Sequence, residues 1–286
     1  MPEGDTIFRT ARNLDHWLRG REVTGGSTQV AGLPVAGLVG QRVEAVEARA
    51  KHLLVRFDSG SVLHTHMRMT GSWHVYRAGE RWRKPQWQAR IVLEAGDRVA
   101  VCFGAPVVEL LAAHGERLHP SLSRLGPDVL VEPFDRAEVR RRASRRPPDL
   151  AVGELLLDQQ VVSGIGNIYR CEALFVCRVN PFTTRSALSD DALDALVTTA
   201  ATLMRGNLEP GQGFAREFGN GPERTWVYRR MGRPCHRCRR PIRSARLGEG
   251  ARRVYWCESC QPPGPGRPWR PPAGPETTSV HGSASP

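Results

Sequence analysis

Immediately behind the initiator methionine stand Pro2 and Glu3, the pair whose chemistry the rest of the chain has to position. An initiator methionine followed by so small a residue as proline is normally removed, so the mature chain is expected to expose a secondary amine beside a carboxylate. An α-amino group has a pKa of about 7.7–8.0, so much of it is unprotonated and nucleophilic near neutrality. Attack on a carbonyl-like carbon gives an imine, and a neighbouring carboxylate can move the protons. The same two residues also have a plain reading as a processing signal and a helix-start charge. Other residues must decide between the two.

Six further groups bear on that decision. Lys51, in Arg49-Ala50-Lys51-His52-Leu53, precedes a β-rich run and is one of only two lysines, with Lys84. It reads as a solvated charge, or as a cation aimed into a cleft to clamp phosphate or assist proton transfer. His64 and His66 share an i, i+2 spacing that suits a metal, but no third ligand lies nearby in sequence, which favours a structural role. Met69, ahead of Thr70-Gly71, reads as a buried methionine or as an apolar wedge at a loop tip, of the kind that unstacks a duplex. Gly164-Ile165-Gly166-Asn167, between two helical runs, would let backbone N–H groups approach a phosphate at a helix N-terminus, with Asn167 capping that helix or donating its amide to the same phosphate. Near the end, Cys235-x-x-Cys238 and Cys257-x-x-Cys260 enclose 18 residues, the ribbon spacing for one structural Zn2+ held by four thiolates with no open position. Arg252 and Arg253, ahead of Val254-Tyr255-Trp256, would sit on a hairpin between these pairs.

These groups need a framework. Ile7, Ala11, Leu14 and Leu18 form one apolar helical stripe that pins the N-terminus to a core. From about 41 to 103 short β-rich runs alternate with turns: Leu53–Phe57 and Ser61–His66 flank Asp58-Ser59-Gly60, and Ala89–Leu93 and Arg98–Phe103 flank Glu94–Asp97. This predicts an α+β protein opening with an antiparallel β-sandwich or barrel flanked by a helix, over residues 1–124. A helical domain over 125–224 follows, with helices around Arg136–Arg146 and Ile168–Val176 and a third capped by Ser189, whose stripe runs Leu193, Leu196, Val197, Ala200, Leu203 and stops before Gly206. A four-cysteine finger spans 225–261, and Pro262–Pro286 reads as a disordered Pro-rich tail.

Composition narrows the partner. In 286 residues, 41 Lys+Arg against 29 Asp+Glu leave a net charge of +12, which points to a polyanion and most directly to nucleic acid. The arginine bias suits phosphate contacts, though a GC-rich genome produces the same bias. No apolar run approaches the roughly 18 residues of a membrane helix, and the polar start is not a signal peptide. Paired cysteines in an odd total of seven favour a reducing compartment, so a cytoplasmic, nucleoid-associated monomer is expected.

Taken together, Pro2-Glu3-Gly4, Lys51, the segment from Asp158-Gln159 to Gly164-Ile165-Gly166-Asn167, and the terminal four-cysteine finger resemble the formamidopyrimidine-DNA glycosylase/endonuclease VIII family over residues 2–261. Pro-Glu-Gly is closer to the endonuclease VIII branch. The resemblance implies a helix–two-turn–helix and a bifunctional base-excision-repair enzyme: Pro2 attacks C1′ of a damaged nucleotide, Glu3 moves protons, and Lys51 contacts the adjacent phosphate. It also implies that Asn167 holds backbone phosphate and Arg252 clasps the flanking phosphates, with Arg253 the alternative. Met69 and Phe103 would fill the gap left by an extruded base. Zinc is the only cofactor, and the partner is DNA, single- or double-stranded, carrying oxidised bases or abasic sites. Thr6 stands where many relatives have Glu, Val101-Cys102-Phe103 lacks the arginine of the formamidopyrimidine branch, and Phe214–Arg224 looks short for a purine lid; all three favour oxidised pyrimidines. Oxidised purines, a catalytically silent DNA-binding protein and an RNA-binding zinc ribbon remain as alternatives.

Overall fold

The computed structural model describes residues 2–208, 216, 218 and 224–264. Helix α1 (Gly4–Leu18) follows the predicted stripe: Ile7, Ala11, Leu14 and Leu18 are all buried. Its N-cap residue is Glu3, whose side chain makes no capping bond to its own helix. The carboxylate is used elsewhere.

Eight strands follow: β1 (Gly25–Thr28), β2 (Val43–Arg49), β3 (His52–Phe57), β4 (Val62–His66), β5 (Ser72–Arg77), β6 (Ala89–Ala95), β7 (Arg98–Phe103) and β8 (Val107–Leu111). They form two four-stranded antiparallel sheets, ordered β1-β6-β7-β5 and β2-β3-β4-β8. Leu53, Val55, Phe57 and Leu63 from one sheet meet Ile91, Leu93, Ala100 and Cys102 from the other, and α1 closes that core. Four of these strands were legible as β-rich runs. Strands β1, β2, β5 and β8 carry mixed faces or glycines and take their pairing from the sheets around them.

Alternation along β7 corrects one expectation. Ala100 and Cys102 face the sandwich core, whereas Val101 and Phe103 face the other side, where Tyr76, Ala89 and Val92 bury them. The Phe103 ring is fully buried, edge-on to Trp82 and His74 with both centroids 5.7 Å away. In this structure the ring is packed inside the protein and is not presented to a duplex.

The second half is helical: α2 (Arg136–Ala143), α3 (Val152–Leu155), α4 (Asn167–Val176) and α5 (Asp190–Gly206). Ser189 caps α5 as expected, accepting from Ala192 N at 3.2 Å, and the helix runs through Gly206, where the pattern predicted its end. Leu155, Leu156, Ile165, Leu174, Leu196 and Ala200 build a separate core. The finger hairpin pairs β9 (Arg243–Leu247) with β10 (Arg252–Trp256), and its Val254 and Cys257 pack with Phe175 of α4. From residue 265 onward the Pro-rich tail lies outside the described residues, as does Phe214–Arg224 apart from 216, 218 and 224. Among the described residues no helix is long and apolar enough to cross a membrane.

Leu14 is fully buried on the α1 face. Leu14→Ala is expected to cost about 2–5 kcal/mol of stability, from lost burial plus the cavity left behind. Urea titration measures it, and a loss under about 1 kcal/mol would show that α1 is not part of the core.

Candidate active site

Glu3 crosses from the start of α1 to the start of α4. Its carboxylate accepts hydrogen bonds from Ile168 N at 2.8 Å, Gly166 N at 3.1 Å and Tyr169 N at 3.3 Å. Gly4 N donates to Gly164 O at 3.0 Å beside it. A helix N-terminus carries roughly half a positive charge and unpaired N–H groups, so it accommodates a carboxylate well. Two effects therefore oppose each other at Glu3, which is fully buried. Desolvation raises the carboxyl pKa, while Arg216, Lys51 and the Ile168 N–H lower it; burial wins, and the pKa lies above the ordinary 4.5. A carboxyl group shifted toward neutrality suits proton transfer in both directions.

The same contacts correct the reading of Gly164 and Gly166 as phosphate binders. Gly166 N is committed to Glu3 and Gly164 N to Gln159 Oε1, at 3.1 Å each. Gly166 is required because a Cβ there would lie 2.3 Å from Glu3 Cδ. Gly164 has φ +96, a left-handed conformation open to glycine. Gly166 makes room for the protein's own Glu3 carboxylate, while Gly164 supplies the turn that leads to it.

Lys51 lies in the two-residue turn joining β2 to β3. Ala50, ahead of it, is forced to φ 56, and its N–H donates to Asp128 Oδ2 at 2.6 Å. Asp128 also accepts from Leu130 N at 3.0 Å, so the connector into the helical half anchors the lysine turn. Lys51 Nζ donates to Ile165 O, the carbonyl that Gln159 Nε2 reaches at 3.0 Å. Burial lowers the Lys51 pKa from 10.5 to about 8; Glu3 opposes that shift and Arg252 adds to it. The turn thus delivers a partly desolvated cation next to the Glu3 carboxylate.

Pro2 opens onto a cavity of about 370 Å³ whose polar lining comes from Thr6, Ser72, His74, Lys84 and Arg216. Arg216 grips Asp5 through two bonds of 2.8 and 2.7 Å and reaches Thr6 Oγ1 at 2.8 Å. Ser72 Oγ joins Lys84 Nζ at 2.7 Å and His74 Nε2 at 3.1 Å. Of these lining residues the sequence singled out Thr6, as a departure from relatives, and Lys84, as the other member of the lysine pair; Ser72, His74 and Arg216 did not stand out.

Around this centre, Met69 sits 66 % exposed between β4 and β5, as a loop-tip wedge requires. Asn167 is the first residue of α4 and not its cap, which is Gly166. Its side chain is engaged within the protein: Nδ2 donates to Arg253 O at 3.0 Å, and Oδ1 accepts from the buried Arg170. Asn167 and Arg170 thereby hold the finger strand against α4. Arg253 turns its side chain to Ser244 Oγ at 2.9 Å, whereas Arg252, on the opposite side of the strand, acts electrostatically on Lys51. Arg252 is the finger arginine whose charge reaches Lys51.

The four finger sulfurs lie within 4.8 Å of one another, with Cys238–Cys257 at 3.4 Å and Cys235–Cys260 at 3.9 Å. A tetrahedral ion with metal–sulfur bonds of about 2.3 Å needs sulfurs roughly 3.75 Å apart, so this donor set can hold a metal ion. Glu172, a residue that sequence reading passed over, fastens the finger's approach: its buried carboxylate accepts from Trp226, Val227 and Tyr228 N, and burial raises its pKa to about 7.

Known proteins give this geometry its class. Residues 1–104 match the formamidopyrimidine-DNA glycosylase N-terminal domain and residues 125–218 the H2TH domain of the same glycosylases. The fold and site are those of a DNA glycosylase. A probable endonuclease 8 2 of Streptomyces coelicolor is 38 % identical over 264 residues, 91 % of this chain and 94 % of its own. Endonuclease 8 2 of Mycobacterium tuberculosis is 35 % identical, covering 91 % and 100 %. A lyase of abasic sites from Mycolicibacterium smegmatis, Nei2, is 33 % identical, covering 91 % and 99 %. The formamidopyrimidine-DNA glycosylase of Lactococcus lactis, solved with abasic-site DNA, superposes with a TM-score of 0.77 over 91 % of this chain at 19 % identity, a likeness of fold. This chain belongs to the formamidopyrimidine-DNA glycosylase/endonuclease VIII family, in its endonuclease VIII branch.

Gly166→Ala is expected to displace the Glu3 carboxylate and lower activity on abasic DNA by more than about 100-fold, the scale of losing a positioned proton-transfer group. Circular dichroism should stay close to wild type. Near-normal turnover would show that the carboxylate need not sit at the α4 N-terminus.

Proposed function

We propose that the chain removes oxidised bases, preferentially pyrimidines such as thymine glycol and 5-hydroxyuracil, and then cleaves the strand. The observation that carries this reading is the Pro2-lined cavity directly beside the buried Glu3 and Lys51. Base removal from a duplex requires extrusion of the nucleotide, and damaged pairs open at least cost. The cavity admits one base against Thr6, Ser72, His74 and Lys84, whose polar atoms suit the carbonyls and added hydroxyls of an oxidised pyrimidine. Met69 enters the vacated stack, and Arg252 and Lys51 hold the adjacent phosphates. Asn167 contributes by fixing the strand that carries Arg252.

With the methionine removed, the Pro2 nitrogen lone pair attacks C1′ and the glycosidic bond breaks, its electrons leaving with the base, which takes up a proton. Glu3 carries protons to and from the sugar as the ring opens to the imine. The iminium acidifies C2′; loss of that proton expels the 3′ phosphate, and a second elimination expels the 5′ phosphate. Water then releases Pro2 from the sugar fragment. The four cysteines would hold one zinc ion, which would fix the finger and, with all four positions filled by thiolates, take no part in the chemistry.

Borohydride should trap a covalent adduct on oligonucleotides containing an abasic site or 5-hydroxyuracil, and Pro2→Gly should abolish both adducts. Trapping on 8-oxoguanine in preference to 5-hydroxyuracil would move the assignment to purines, and no adduct on any strand would remove the catalytic reading. The pH profile gives a second check. As pH rises, Pro2 loses its proton and kcat/KM on abasic DNA climbs; Lys51, with its pKa lowered to about 8, then loses the charge that holds phosphate, and kcat/KM falls. Lys51→Arg stays charged and should lose that falling limb; a limb unchanged near pH 8 would assign it to another group. Cys257→Ser should release the metal and weaken DNA binding while the β-sandwich stays folded, and tight binding by the metal-free variant would exclude the finger from the clasp.

A further inference from the structure

His64, set aside in the sequence for want of a third ligand, acquires its partners through the fold. The β4–β8 register pairs it directly with Glu109. His119, from the segment after β8, closes on the same carboxylate. His64 Nδ1 lies 3.0 Å and His119 Nε2 2.9 Å from Glu109 Oε2, and all three donor atoms fall within 4.8 Å of one another. Donors held about 2.1 Å from a common ion and about 90° apart are separated by roughly 3.0 Å, the spacing of each histidine nitrogen from Glu109 Oε2 here. We infer that His64, Glu109 and His119 form a second metal site, taking a divalent transition ion of the class that prefers imidazole and carboxylate ligands.

Surrounding residues support that role. His52 Nδ1 is 2.8 Å from His64 Nε2, so it can accept the proton that His64 must carry on its far nitrogen to present a lone pair at Nδ1. His119 has to place its proton on Nδ1, giving up contacts from Ser121 N and Leu122 N that are already long, at 3.3 and 3.4 Å. The site opens onto a crevice of about 690 Å³ lined by Arg68, Arg124, Gln159 and Gln160, which leaves coordination positions for water or a phosphate oxygen. It shares no ligand with the finger cysteines or the Pro2 cavity. A bound ion ties the segment carrying His119 to the sheet.

The test is metal stoichiometry and spectrum in the full-length protein. After chelation and reconstitution with Co2+ under reducing conditions, the wild type should bind two equivalents. One shows the thiolate charge-transfer bands of the cysteine centre, and the other shows only weak visible bands. Glu109→Gln, which keeps the shape of the side chain, and His119→Ala, at a partly exposed position, should each bind one equivalent and retain the thiolate bands. A wild type that binds a single equivalent would overturn the proposal, leaving a hydrogen-bonded cluster only. So would a second equivalent that survives in both variants, which would place the ion elsewhere.

Discussion

Everything in this molecule depends on one ionic contact, the Glu3 carboxylate seated on the N–H groups of Gly166, Ile168 and Tyr169. It joins the first turn of α1 to the first turn of α4, and so the two separate cores. It satisfies N–H groups that a buried helix start would otherwise leave orphaned. It also sets the electrostatics of the centre: burial pushes the Glu3 carboxyl and the Lys51 amine toward their neutral forms, and each group's charge holds the other back from that shift.

The finger reaches the centre by a second route. Asn167 and Arg170 bind the backbone of Arg253, not its side chain, so the strand is held in register whichever residue stands there. Alternation along the strand then sends Arg252 toward Lys51 and Arg253 toward Ser244. The two cysteine pairs flank this hairpin, and Glu172 holds its approach to the core. The phosphate contact proposed for Arg252 would therefore rest on several contacts that touch no phosphate.

How much of this the sequence revealed follows from the range of the forces involved. The α1 stripe, the Ser189 cap and the cysteine spacing are local patterns, and each appears where the pattern put it. Pro2, Glu3 and Lys51 drew notice because their residue types are unusual at those positions, and the fold brings Lys51 to Glu3 beside the Pro2 cavity. The partner of Gly166 was not legible: a loop poised for an anion looks the same whether the anion is a phosphate or a carboxylate over 160 positions earlier in the chain. Phe103 was misread for a related reason, since its cover comes from Trp82 and Tyr76 across the sheet. Glu109 and His119, far from His64 in sequence, became visible only once β4 paired with β8.

The chain start also ties biosynthesis to chemistry. Glu3 is sealed and Gly4 is bonded to Gly164 once the helical half has docked, which leaves Pro2 half-buried at the wall of its cavity. A retained methionine would turn the Pro2 nitrogen into an amide, with no lone pair to offer a sugar carbon. The same fold would then stand without its proposed nucleophile, so a processing step made elsewhere decides whether the cavity has one.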